Sequence, residues 1–116
     1  MTPSRDQDVA KTIHLTEQNF DEALAAASGL VMVDFWAAWC GPCRAIAPVL
    51  EELGADVKGR VVLLKVNVDE SPALAARYGI RSIPALQLFK EGTLVDRVVG
   101  AAPKTVLQGI ASARAS

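Results

Sequence analysis

Phe35-Trp36-Ala37-Ala38-Trp39-Cys40-Gly41-Pro42-Cys43 joins the end of an apolar, strand-like run, Leu30 to Trp36, to the start of a helix-like one. The chain's only two cysteines sit at this junction, separated by Gly41 and Pro42. Two intervening residues let the side chains close a small disulfide ring, and they put Cys40 just before or at the first helical turn. The unpaired N–H groups and the dipole at a helix N-terminus favour negative charge, and so favour a thiolate, the attacking species in disulfide exchange. The stretch reads as a reactive dithiol.

Simpler readings of the pair are weaker. A disulfide closing a loop of four residues constrains the unfolded chain by only about 2 kcal/mol, a poor staple. A structural zinc site needs four ligands, and beyond the two cysteines the chain offers one histidine, His14, and carboxylates. Two inert, buried thiols leave the Gly41-Pro42 turn between them without a packing reason.

Upstream, Leu30–Trp36 is a continuous apolar run broken by one residue, Asp34, and reads as a central strand covered on both faces. Burying a carboxylate without a partner is expensive, and desolvation raises its pKa, which is what a proton relay at neutral pH requires. A hydrogen-bonded or ion-paired acid with no chemistry is the competing reading. Val61 to Val68 is a second buried parallel strand, rich in β-branched residues, with Lys65 as its anomaly. Asp34 on the neighbouring strand is the natural partner for Lys65. A lysine there opposes the rise in Asp34's pKa, and the sum of the two effects is open at this level.

The remaining elements follow from pattern. Ile13-His14-Leu15 is a short strand, and Thr16 is the expected N-cap of a helix carrying Phe20, Leu24 and Ala27, ended by Gly29. His14 reads as a surface or satisfied residue. After Cys43, the spacing of Ile46, Val49, Leu50, Leu53 and Val57 marks one face of a long helix, interrupted by Pro48, with Gly54 and Gly59 as stops. Ser71-Pro72 opens a short helix through Leu74 and Tyr78 that Gly79 terminates. Ala85–Lys90 and Leu94–Val99 are joined by Glu91-Gly92 as a hairpin, and a final helix from Pro103 presents Val106, Leu107 and Ile110 on one face. The order βαβαβαββα predicts an α/β domain, a mixed sheet with helices on both sides.

Composition narrows the function. The chain has 116 residues, a size for one domain, with half of it hydrophobic, 22% charged and a net charge of −1. Scattered Lys and Arg recommend neither nucleic acid nor an anionic membrane as partner. The polar N-terminus has no apolar core of a signal peptide, and Gly41, Pro42, Arg44 and Pro48 break the most apolar stretch, so no membrane span is expected. A cytoplasmic setting is expected, where a close cysteine pair is more often catalytic than structural. Residues 1–10 read as a loose tail before a domain over 11–116.

The run Val33-Asp34-Phe35-Trp36-Ala37 with Trp39-Cys40-Gly41-Pro42-Cys43, then Ala47-Pro48, Tyr78-Gly79-Ile80 and Ile83-Pro84, resembles the thioredoxin family in order and over nearly the whole chain. The resemblance implies the thioredoxin fold, a five-stranded sheet of order 1-3-2-4-5 flanked by four helices, and a protein-disulfide reductase. It implies that Cys40, the more exposed thiol, attacks the substrate disulfide, that Cys43 resolves the mixed disulfide, and that Asp34 takes the proton from Cys43. It also implies a cis Ile83–Pro84 bond facing the dithiol, so that Trp39, Ile83 and Pro84 form the substrate-binding rim, with Trp36 as its support. Gly100 either keeps that groove open or is an ordinary turn glycine. Gly41, Pro42 and Lys65 tune the redox couple; with no histidine between the cysteines, an electron donor is expected over a disulfide oxidase or isomerase. No cofactor is bound beyond the Cys40–Cys43 disulfide, electrons come from an NADPH-dependent thioredoxin reductase, the substrates are disulfide-containing proteins, and the chain acts as a monomer. The rival is a binding or chaperone module that uses the same groove without redox turnover. Ala38, Arg44, Ala85 and Gln87 depart from the family's commonest residues, and Gln87 puts a polar group in a strand expected to be apolar.

Overall fold

The computed structural model describes residues 12–56 and 61–115, so the 1–10 tail, Val57 and Gly59 lie outside the described residues. Nine elements follow one another: β1 (Thr12–Leu15), α1 (Phe20–Ala26), β2 (Leu30–Trp36), α2 (Gly41–Asp56), β3 (Val61–Asn67), α3 (Pro72–Arg77), β4 (Ala85–Lys90), β5 (Thr93–Val99) and α4 (Lys104–Ala115). They form the thioredoxin fold, one sheet in the order β1-β3-β2-β4-β5. β1, β3 and β2 run parallel, whereas β4 is antiparallel to β2 and β5 to β4.

Continuous hydrophobicity makes β2 the centre of this sheet, because each of its faces meets a helical layer. Leu30 and Met32 face Ile46, Leu50 and Leu53 of α2 and Leu107 and Ala111 of α4. Val31, Val33 and Phe35 alternate to the other side and pack with Phe20 and Leu74, from α1 and α3. Each fully buried side chain of this size contributes about 1.5–3 kcal/mol, so the two clusters hold the strand ends that carry the site. The predicted α4 face is shifted: Val106 is exposed, and Leu107, Ile110 and Ala111 make the contact.

Several local expectations are corrected. Thr16 is not the N-cap of α1; its carbonyl accepts the N–H groups of Asn19 and Phe20, and its own N–H donates to Asn19 Oδ1 at 2.9 Å. That turn delays the helix until Phe20, whose ring is then fully buried. Ser71 stands at the N-cap position of α3, yet its hydroxyl makes no capping bond. Glu17, carried there by the turn, accepts the Ala73 N–H at 2.7 Å, and its negative charge suits a helix N-terminus. Pro48 forfeits one helical bond without ending α2, which also passes Gly54.

Two turns read correctly. Glu91 and Gly92 both have positive φ, 53° and 82°, as a two-residue type I′ hairpin turn requires. At the end of α3, Gly79 has φ +66°, its N–H donates to the Ala76 carbonyl, and Ile80 N–H donates to that of Ala75. This Schellman closure turns the chain toward Ile83–Pro84, beside the end of α2 that carries the cysteines.

Candidate functional site

At the top of β2 the chain leaves the sheet, and Cys40 N–H donates to the Ala37 carbonyl at 3.1 Å. The Cys40 carbonyl accepts the Arg44 N–H, which closes the first turn of α2 and makes Cys40 its N-terminal flanking residue. Its sulfur takes the place of a capping oxygen: Cys43 N–H donates to Cys40 Sγ at 3.2 Å. The two sulfurs are bonded as a disulfide, with Cα atoms 5.2 Å apart. A backbone N–H aimed at sulfur and the positive end of a helix dipole are the surroundings that favour an anionic sulfur.

Burial ranks the two cysteines in the expected order, by a narrow margin. Cys40 is 4% exposed and Cys43 2%; with Ala37 they form a small buried cluster against which Trp36, Val68 and Ile83 pack. With both cysteines in one apolar cluster, the difference between them lies in position on the helix: among the described residues only Cys40 Sγ receives a backbone N–H.

Asp34 and Lys65 occupy paired positions of β2 and β3, and Lys65 Nζ lies 3.6 Å from Asp34 Oδ2. Burial raises the Asp34 carboxyl to about 6, and the Lys65 ammonium only partly opposes it. Neither carboxylate oxygen has a hydrogen bond among the described residues, so the desolvated charge has one distant cation and nothing else. By strand alternation Asp34 shares the sheet face of Leu30 and Met32, the face covered by α2. Lys65 Nζ also lies 4.8 Å from the centre of the Trp36 ring. His14 pairs with Lys65 across β1 and β3 and meets Trp36 edge-on, while remaining exposed, as a surface histidine does.

The Ile83–Pro84 bond is cis. The Pro84 carbonyl accepts the Gly100 N–H at 2.8 Å, and Gly100 has φ +93°, a backbone conformation that side chains resist. A Cβ at Gly100 would meet nothing within 4 Å, so the turn itself accounts for the glycine. Trp39 is 69% exposed and forms, with Val68, Ala75, Ile80, Arg81 and Ile83, a largely apolar groove of about 160 Å³ beside the disulfide. Arg44 donates to the Ala38 carbonyl at 3.2 Å and so braces the loop.

Sequence reasoning missed Asp69. Its Oδ2 accepts the Trp39 indole N–H at 2.8 Å and fixes the most exposed ring of the site. Asn67 holds Asp69 there, accepting the Asp69 N–H on Oδ1 at 2.9 Å. An Asn two residues before an Asp after a strand was the available signal for such a turn. Gly41 and Pro42 are the first residues of α2; a Cβ at Gly41 would meet nothing within 4 Å.

Comparison with known proteins agrees with this geometry. A family model described as Thioredoxin matches residues 11–113. The chain is 47% identical over 97 residues to Thioredoxin 2 of Chlorobaculum tepidum, covering 84% of this chain and 89% of that one. It is 52% identical over 93 residues to Thioredoxin 1 of Synechococcus elongatus, covering 80% and 87%. It is 53% identical over 92 residues to the thioredoxin of Staphylococcus haemolyticus, covering 79% and 86%. Among solved structures, a mutant thioredoxin from Halobacterium salinarum NRC-1 superposes with a TM-score of 0.83 at 32% identity, covering 91% of this chain and 92% of that one.

Proposed function

The chain belongs to the thioredoxin family and is a protein-disulfide reductase acting through its Cys40–Cys43 dithiol, and on that premise we propose how its residues divide the work. Cys40 thiolate attacks one sulfur of a substrate disulfide; a mixed disulfide forms, and the other substrate sulfur leaves as a thiolate and is protonated. Cys43 then gives its proton to Asp34 and attacks Cys40 Sγ, releasing the second substrate thiol. Two electrons have passed to the substrate, and the Cys40–Cys43 disulfide remains. The observation that carries this division is the Cys43 N–H donated to Cys40 Sγ at the head of α2, which distinguishes the attacking sulfur from the resolving one.

The redox group is that disulfide itself, and the family implies a reductase that regenerates the dithiol and proteins whose disulfides it opens. An NADPH-dependent thioredoxin reductase as electron source, a monomeric chain and a cytoplasmic setting complete the reading. A dithiol that must be returned to its reduced form suits a reducing compartment. Among the described residues no helix is long and apolar enough to cross a membrane.

Alkylation tests the assignment of the nucleophile. An ordinary thiol with a pKa near about 8.5 is only a few per cent ionised at pH 7. Reduced protein treated with iodoacetamide at pH 7 is expected to modify Cys40 at least about tenfold faster than Cys43, as read by peptide mapping. Equal rates would remove the distinction.

Trp39, Ile83 and Pro84 form the docking rim. The exposed Trp39 and the partly buried Ile83 beside the disulfide support this, as does the groove they share. Gly41 and Pro42 set the cysteine spacing, Lys65 moderates Asp34, and Gly100 secures Pro84 through its N–H. Asp69→Ala frees the Trp39 indole at a cost of about 1 kcal/mol, so KM for protein substrates should rise about fivefold with kcat nearly unchanged. A drop in kcat at constant KM would assign Asp69 to the chemistry.

A further inference from the structure

Gln87 is the residue that the redox chemistry does not use. It lies in β4 on the side of Ala85 and Phe89 and is 4% exposed. Its Nε2 donates a long 3.4 Å bond to the Tyr78 carbonyl, and its buried Oε1 has no partner among the described residues. A buried amide oxygen left without a donor is costly, and an apolar residue at this position would avoid the cost. Gln87 lines a cavity of about 140 Å³ whose walls include Tyr78, Arg81, Ser82, Arg97 and Val99. Sites for cofactors and drug-sized ligands run to roughly 300–1,000 Å³, so this one suits a single side chain.

The charges say which kind. Arg97 pairs with Gln87 across β4 and β5 and is exposed. Neither the Arg81 nor the Arg97 guanidinium has an ion-pair or hydrogen-bond partner among the described residues. Arg81 lines both this cavity and the groove of Trp39 and Ile83, so the two spaces are neighbours.

We propose that the cavity between the Tyr78–Ser82 loop and β5 is a specificity subsite for an acidic side chain of the substrate protein, held by Arg81 and Arg97. The inference rests on the reductase reading, since the substrate chain reaches the cavity by lying across Ile83 with its cystine over Cys40. The cavity and the groove share Arg81, so the acid lies at one of the extended positions on the side of the substrate cysteine that runs past Ile83. Planar guanidinium groups suit a carboxylate, which they can engage through two parallel bonds.

Matched peptides test it, each linked through one cysteine to a chromogenic aryl thiol and differing only in Glu or Gln at those positions. The native protein should reduce the best-placed Glu peptide with a KM about five- to tenfold lower than its Gln counterpart and a similar kcat. Arg97→Gln should bring that ratio close to one while leaving the Gln peptide unaffected, and Arg97→Lys should restore part of it. Moving the glutamate to the other side of the cysteine should abolish the preference, which a long-range attraction to basic residues would not. Equal KM values at every placement, or a ratio that survives Arg97→Gln, would overturn the subsite alone. Reduction of neither peptide would overturn the reductase reading and the subsite with it.

Discussion

Cys40→Ser will leave a folded protein whose reduction of an insulin-type substrate is lower by about a thousandfold or more, whereas Cys43→Ser will perform half of the reaction and stop. A serine hydroxyl is scarcely ionised near neutral pH, so the helix N-terminus has no sulfur anion to stabilise at that position. Cys43, 2% exposed and without the backbone donor that serves Cys40, is a poor substitute. Substitution at Cys43 retains its backbone N–H and therefore the stabilised Cys40 thiolate. The attack then proceeds, one substrate thiol is released, and the mixed disulfide persists because no second sulfur displaces it. Mass spectrometry should find a covalent adduct with the Cys43→Ser protein and none with the Cys40→Ser protein. Neither variant should unfold: the four-residue disulfide loop is worth about 2 kcal/mol against a typical total of roughly 5–15. Full activity in the Cys40→Ser protein would instead mark a module that binds in the same groove without exchanging electrons.

What could be read from the sequence, and what could not, divides by the range of the interaction. The continuous hydrophobicity of Leu30–Trp36 gave a central strand, and its single acid pointed to the single lysine of Val61–Val68. The register then pairs those two residues. Glu91-Gly92 and Gly79 declared their turns through local backbone requirements. The cap of α3 was not legible, because Glu17 reaches it across 56 positions of sequence and Ser71 looked sufficient locally. Burial of both sulfurs depends on Val68 and Ile83, from two other segments, and the exposure expected at Cys40 could not anticipate it. The Asp34 balance was likewise undecidable from pattern: it turns on a 3.6 Å separation and on the absence of any hydrogen bond to the carboxylate from the described residues. Gln87 was conspicuous as a polar residue in an apolar strand, but its meaning lay in Arg97 across the ladder.

Asp34→Asn is expected to stabilise the protein at pH 8 by roughly 3 kcal/mol and to slow product release, two effects with one electrostatic origin. Folding raises the carboxyl from 3.8 to about 6, chiefly through desolvation. Below about pH 4 the group is protonated whether folded or unfolded, and its burial carries no charge penalty. Between these values the folded state holds the proton that the unfolded state has lost, so this contribution to stability falls as pH rises and is gone above about 6. Asparagine resembles the protonated form at every pH, so urea midpoints of Asp34→Asn should lack the decline from pH 4 to 7 seen in the native protein. Lys65 is not stranded by the change, since it keeps the face of Trp36 at 4.8 Å. Lys65→Met should act oppositely: with the opposing cation gone, the Asp34 inflection moves above about 6 and the decline extends to higher pH and to a larger total loss. The same ionisation should appear in single-turnover reduction, where release from the mixed disulfide accelerates as Asp34 becomes able to accept the Cys43 proton. In Asp34→Asn that acceleration should vanish and the rate at pH 7 fall by about a hundredfold, the lower end of what a positioned base contributes. Stabilisation without a change in the kinetic pH profile would confine Asp34 to an electrostatic burden on the fold and leave the resolving proton to another acceptor.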